Sequence, residues 1–371
     1  MSDLFSPIQL NDLELANRIV VAPMCQYSAN EGTMTDWHLM HLGQYAVGGA
    51  GLVFVEAAGV EARGRITPGC VGLWSDENEA AMARVVKFYR DYGHAKIGIQ
   101  LAHAGRKASC DVPWDGGTPL GDNPRAWQTV APSALPYADG WHRPQALDDA
   151  GLAEVKDAFV QAARRAHRAG FDVIEIHAAH GYLLHSFLSP LSNQRDDAYG
   201  GSLENRMRFP LEIFDAVTAA LPDSYPVGMR ISAVDWTEDG LQLDDSIALA
   251  KELKSRGCAF LDVSSGGNTP RQEIKVGPGY QTAFAAAIKA QTGIVTMAVG
   301  QIREPMQAET IIASGQADMV ALARGMLWNP RWAWHAAEEL GANAQFPPQY
   351  MRTHPSLRGE PVPGNPPKPK T

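Results

Sequence analysis

Residues 171–182 read Phe-Asp-Val-Ile-Glu-Ile-His-Ala-Ala-His-Gly-Tyr. Val173, Ile174 and Ile176 make an apolar run of strand length, and two imidazoles and a phenol, His177, His180 and Tyr182, follow at its end. An α/β fold keeps its chemistry at the carboxyl ends of its strands. Two imidazoles can donate N–H to one oxygen, and a phenol with an ordinary pKa near ~10 still has a proton to give at neutral pH. The trio suggests polarisation of a carbonyl with protonation of a neighbouring atom. Two plainer readings stand beside it. A His at a strand end is commonly a satisfied structural residue. His177-x-x-His180 is also the spacing of half a metal site, which would need a converging ligand such as His103 or Asp235.

Working outward, residues 151–169 carry Leu152, Val155, Phe159, Ala162, Ala163 and Ala166 at helical spacing. Asp148 and Asp149 offer N-cap chemistry before them and Gly170 a C-cap after them. The same alternation of apolar run and helical pattern recurs along the chain. Strands are expected at 18–24, 51–58, 96–103, 171–177, 226–232, 259–265, 294–299 and 318–323. Eight such units predict a single (β/α)8 TIM barrel. An open doubly wound sheet would usually show a G-x-G-x-x-G turn after its first strand, and none follows residue 24. A plain barrel takes ~250 residues. The excess of this 371-residue chain falls in a Pro-, Gly- and Trp-rich excursion after strand three, residues 106–148, and in a second loop at 189–203. The barrel domain is placed at 1–352 and a Pro-rich, extended tail at 353–371.

The net charge of −9 argues against non-specific binding to nucleic acid or to an anionic membrane. Cys25, Cys70, Cys110 and Cys258 form no C-x-x-C pair and no disulfide framework. The opening Met-Ser-Asp-Leu-Phe-Ser-Pro lacks signal-peptide character, and no apolar run reaches the ~18 residues that span a bilayer. A cytoplasmic protein with no membrane or nucleic-acid partner is expected.

The other strand ends read Ala22-Pro23-Met24-Cys25-Gln26-Tyr27, Gln100-Leu101-Ala102-His103-Ala104-Gly105-Arg106-Lys107, Arg230, Ser264-Ser265-Gly266-Gly267, Gly300, and Ala323-Arg324-Gly325. The last two strand ends are the usual phosphate site of such barrels, with backbone N–H groups and an Arg fork for an anion. Each has a plain alternative: tight-turn glycines, structural ion pairs for Arg230 and Arg324, a small buried hydrophobe for Cys25. Their coincidence on one face is what favours function.

With these motifs, and with Tyr199-Gly200-Gly201-Ser202-Leu203-Glu204-Asn205-Arg206 and Gln349-Tyr350-Met351-Arg352, the chain resembles the Old Yellow Enzyme family of FMN-dependent ene-reductases. The similarity is to its thermophilic-like bacterial subgroup and runs from about residue 4 to 352. The resemblance implies non-covalent FMN at the C-terminal face, NADPH or NADH as reductant, and an enone, nitroalkene or related electrophile as substrate. It implies that His177 and His180 hold the substrate's oxygen, that Tyr182 protonates the α-carbon and that Tyr27 helps bind the ligand. Ala22, Pro23, Met24, Cys25, Ala57, Gln100, Arg230, Ala323 and Arg324 would contact FMN, with Gly300 at the phosphate end. Cys25 would tune the flavin's potential. A homo-oligomer, dimer or tetramer, is implied, in which Arg352 enters a neighbouring subunit's site. Met351 stands where many relatives have an aromatic residue. The competing readings are a metal-dependent (β/α)8 hydrolase using His177 and His180, and a non-catalytic flavin-binding scaffold.

Overall fold

The computed structural model describes residues 2–353. The expected tail at 353–371 lies, but for its first residue, outside the described residues. Eight parallel strands close into a barrel: β1 (Ile19–Val21), β2 (Leu52–Gly59), β3 (Lys96–Ala102), β4 (Val173–Ala178), β5 (Val227–Ser232), β6 (Leu261–Ser264), β7 (Thr296–Val299) and β8 (Met319–Leu322), with β8 pairing back onto β1. All eight fall inside or within one residue of the expected runs.

Strand alternation sorts the side chains into two shells. Ile97, Ile99 and Leu101 of β3, and Ile174 and Ile176 of β4, face outward into one continuous core beneath the helices. Phe54, Val173, Phe260, Met297 and Met319 form a second, inner cluster. Leu10 and Leu15, from an antiparallel hairpin (Ile8–Leu10 with Leu13–Leu15), join this inner cluster and close one end of the barrel. Two glycines make room for its aromatics. A Cβ on Gly98 would lie 2.5 Å from the Phe54 ring, and one on Gly228 would lie 2.3 Å from the Phe260 ring.

Among the surrounding helices are α1 (Asp36–Ala46), α2 (Asp76–Tyr92) and α3 (Asp149–Ala169). Helix α3 carries the expected caps. The Asp148 carboxylate accepts from Gly151 N–H, and Gly170 takes the left-handed conformation at φ 90°. The excursion after β3 pairs with itself over Val130–Ala131 and Gln145–Ala146 and at an isolated bridge between Cys110 and Pro119, and contains a short 3₁₀ turn at Pro113–Asp115. Among the described residues no helix is long and apolar enough to cross a membrane.

Candidate active site

Register builds the site before any loop does. Across β3 and β4, Gln100 sits opposite Glu175; across β4 and β5, His177 opposite Arg230; across β5 and β6, Arg230 opposite Asp262. Because side chains alternate, these five line the barrel's interior just above its apolar layer. Gln100 Nε2 donates to Glu175 Oε1 at 2.7 Å, and Arg230 Nε lies 3.0 Å from Asp262 Oδ2. The second contact is an ion pair without a well-formed hydrogen bond. One guanidinium thus faces two fully buried carboxyls. Burial, reinforced by the Asp262 charge and only partly offset by Arg230, pushes the Glu175 carboxyl up to about 8, and burial raises Asp262 as well.

Beyond β4 the chain turns sharply. His180 has φ 60°, a left-handed conformation uncommon for a non-glycine residue, held by its N–H donating to Ser232 Oγ. Lys107 Nζ donates to both His180 O and Gly267 O at 2.8 Å, tying the loops after β4 and β6 together. A Cβ on Gly181 would lie 2.3 Å from Gly267 O, so these two loops touch backbone to backbone. The result sets His177 and His180 ring to ring at 82°, with His177 Nε2 3.4 Å from His180 Nδ1. The Tyr182 ring stands 5.1 Å from that of His177, and its hydroxyl has no protein hydrogen-bond partner among the described residues. Burial, then the Arg230 charge, drives both imidazoles well below their ordinary pKa, so both are neutral. Burial holds the Tyr182 phenol protonated.

The residues after β1 line the next strand end. Ala22 is buried, Pro23 to Tyr27 are half-buried, and the Tyr27 ring meets Trp114 of the excursion edge-on at 5.7 Å. Contact with Cys70, burial and Glu56 all raise the Cys25 thiol, which stays protonated. Ala57 follows an irregularity in β2 that brings it opposite Gln100. Arg352 is placed elsewhere, on the exposed 3₁₀ turn Pro348–Thr353.

At the ends of β7 and β8 a cavity of about 190 Å³ is lined by Gly300, Gln301, Arg303, Ala323, Arg324 and Arg230, among others. Gly300 has φ 120°, where a Cβ would come within 3.0 Å of the Tyr280 ring. The guanidinium groups of Arg303 and Arg324 have no ion-pair partner among the described residues. Two unneutralised cations beside a glycine turn suit a phosphate dianion. Arg230 and Gln100, further in, suit the polar edge of a flat heterocycle. The residues present fit FMN.

The chain matches the NADH:flavin oxidoreductase / NADH oxidase family over residues 3–343. It belongs to that family, the Old Yellow Enzyme family. It is 45% identical to the NADPH dehydrogenase of Geobacillus sp. (strain WCH70) over 351 residues, covering 94% of this chain and 98% of the relative. It is 44% identical to that of Bacillus subtilis (strain 168), with the same coverage. Among solved structures, morphinone reductase superposes with a TM-score of 0.77 at 30% identity, over 93% of this chain and 91% of the other. This Old Yellow Enzyme family member is an NAD(P)H oxidoreductase with FMN as cofactor.

The geometry bears on two of the plainer alternatives. His103 bonds Glu61 at 2.8 Å and Asp235 lies 3.1 Å from His185, so neither converges on His177 and His180. Among the described residues no group of three or more His, Cys, Asp or Glu could hold a metal ion. Arg230 proves to be both an ion-pair member and part of the pocket. Sequence reasoning gave no role to Glu175, Asp262, Ser264, Gln281, Arg303 or Lys107. Glu175 was findable, because it stands two residues before His177 and so faces the same interior.

Proposed function

We propose that this enzyme reduces the activated C=C bond of α,β-unsaturated carbonyl or nitro compounds, and the observation that carries the reading is the His177–His180 pair beside Tyr182. Two neutral ring nitrogens 3.4 Å apart can share one oxygen of the substrate. Such donors draw electron density from the conjugated system and stabilise negative charge as it gathers on that oxygen. FMN, when bound, would supply the hydride, with NAD(P)H as its reductant. Tyr182, protonated and with a free hydroxyl, delivers the proton to the α-carbon. Tyr27, under Trp114, forms a wall of the ligand pocket.

Arg324 and Arg303 would hold the cofactor's phosphate at the Gly300 turn. Arg230 and Gln100 hold its polar edge, and Ala22, Pro23, Met24, Cys25, Ala57 and Ala323 pack around it. The free state of the four cysteines suits a reducing, cytoplasmic compartment. The groove of about 550 Å³ between α1, α2 and Tyr350, with Met40 and Tyr92 more than half exposed, supports a homo-oligomer. In it Arg352 would serve a neighbouring subunit's pocket.

An anaerobic stopped-flow experiment tests the reading. NADPH should bleach the flavin and cyclohexenone should restore its colour. A reduced enzyme that dioxygen reoxidises but neither cyclohexenone nor a nitroalkene does would refute it.

A further inference from the structure

The hydrogen bonds around the two imidazoles decide how many donors they offer. His177 Nδ1 accepts from Ala179 N–H at 3.3 Å, so the neutral ring carries its proton on Nε2. That Nε2–H points at His180 Nδ1, 3.4 Å away. Two N–H groups do not face each other with nothing between them. In this direct contact His180 Nδ1 is therefore the accepting nitrogen and its proton sits on Nε2, 2.7 Å from Ser264 Oγ. Ser264 then accepts, and turns its own hydrogen to Gln281 Oε1 at 3.4 Å.

An oxygen lodged between the rings reverses the roles of His180 and Ser264 and leaves His177 protonated on Nε2. His180 must now donate from Nδ1, so Nε2 is bare and needs a donor, and the Ser264 hydroxyl is the group within reach. Gln281 can release it. Trp236 Nε1–H donates to Ser265 Oγ at 2.9 Å, and Ser265 donates to Gln281 Oε1 at 2.6 Å. The Gln281 amide is fixed in this sense by its Nε2–H on Val299 O at 3.0 Å. A hydroxyl is both donor and acceptor and turns to suit. The ring gives its Nε2 proton to solvent and takes one from solvent at Nδ1, so ring and solvent each end with the protons they began with.

We propose that Ser264 is a positioning residue whose hydroxyl turns between Gln281 and His180 and thereby selects the His180 tautomer that can receive a substrate oxygen. The inference rests on the reading of His177 and His180 as holders of that oxygen.

The test uses the FMN-loaded enzyme with ring-¹⁵N histidine and 4-hydroxybenzaldehyde, whose phenolate presents one anionic oxygen on a flat ring. Long-range ¹H–¹⁵N correlations report which ring nitrogen carries the proton, and His180→Asn identifies the His180 signals. His180 should be protonated at Nε2 alone and at Nδ1 with the phenol bound, while His177 stays protonated at Nε2. Ser264→Ala should weaken phenol binding about tenfold, the cost of one unmet buried hydrogen bond, and Ser264→Thr should restore it. An unchanged His180 tautomer on binding, or wild-type affinity in Ser264→Ala, overturns the role of Ser264. Should the phenol disturb neither imidazole, the oxygen-holding reading falls and this inference with it. The tautomer comparison in the unmutated enzyme decides the matter even if Ser264→Ala fails to fold.

Discussion

Glu175→Gln should remove a pH-dependent penalty that the folded barrel carries at neutral and alkaline pH. Glu175 is fully buried, bonded on one oxygen to Gln100, and shares the single cation Arg230 with Asp262. Burial lifts its carboxyl from 4.5 to about 8. At about 1.36 kcal/mol per unit, ionising it inside the barrel costs up to about 5 kcal/mol. The sign follows from proton counts. The folded state keeps a proton that the unfolded chain releases above its own carboxyl pKa. Stability attributable to this group therefore falls as pH rises from about 4.5 to about 8 and is level beyond. Gln keeps the oxygen that Gln100 bonds and has nothing to ionise. Asp262, left alone with Arg230, then ionises more easily, so the measured difference belongs to the carboxyl pair. Urea unfolding with FMN in excess, from about pH 5 to about pH 9, should give a variant that gains on the wild type with rising pH, by at most about 5 kcal/mol. Parallel stability profiles would refute a proton held on this pair.

Tyr182→Phe keeps the ring and removes the acid, so flavin reoxidation by cyclohexenone should slow about 10²–10⁴-fold while reduction by NADPH stays near wild type; stopped-flow traces of both halves check this, and an unchanged oxidative rate sinks the role. Cys25→Ser should move the flavin's midpoint potential by about 30 mV, the two-electron equivalent of one hydrogen bond. Spectroelectrochemistry reads it, and an unmoved potential would make Cys25 a packing residue. Gly98→Ala should cost about 1–3 kcal/mol, because its Cβ would press on both Phe54 and Val173 in the closed end of the barrel. A denaturation midpoint equal to wild type would show that the inner cluster yields more easily than its contacts imply.

The barrel was legible because its information is local. Each strand is a short apolar run, and helix α3 announces both ends through Asp148 and Gly170. His177, His180 and Tyr182 were legible for the same reason, lying within six residues on one strand end. What escaped was created by pairing between strands. Nothing near Asp262 in the sequence tells that Arg230 stands opposite it, and nothing near Ser264 tells that its hydroxyl meets His180, 84 residues earlier. Lys107 was visible in the motif after β3, but its grip on His180 O and Gly267 O depends on two loops that meet only in the closed barrel.

The grip of Lys107 also divides the excursion after β3 into two parts with different fates in evolution and engineering. Residues up to Lys107 belong to the catalytic architecture, since the ammonium clamps the backbone that carries His180. From Ser109 onward the lobe combines internal bonds, with Leu120 N–H and His142 on Ser109 O and Trp127 N–H on Ser109 Oγ, with bonds to the loop after β2, where Cys110 N–H meets Ile66 O and Trp127 Nε1–H meets Arg63 O. It rejoins the scaffold where Arg195 holds Pro132 O and Leu147 O. The lobe bearing Trp114 is therefore seated on the scaffold, and its Tyr137 ring lies 4.7 Å from the Lys107 ammonium itself. Exchanging it between relatives, with junctions after Ala108 and before Leu147, would change the residues against Tyr27, and would leave the chemistry intact only where the contacts of Cys110, Trp127, Pro136 and Tyr137 to the scaffold are kept.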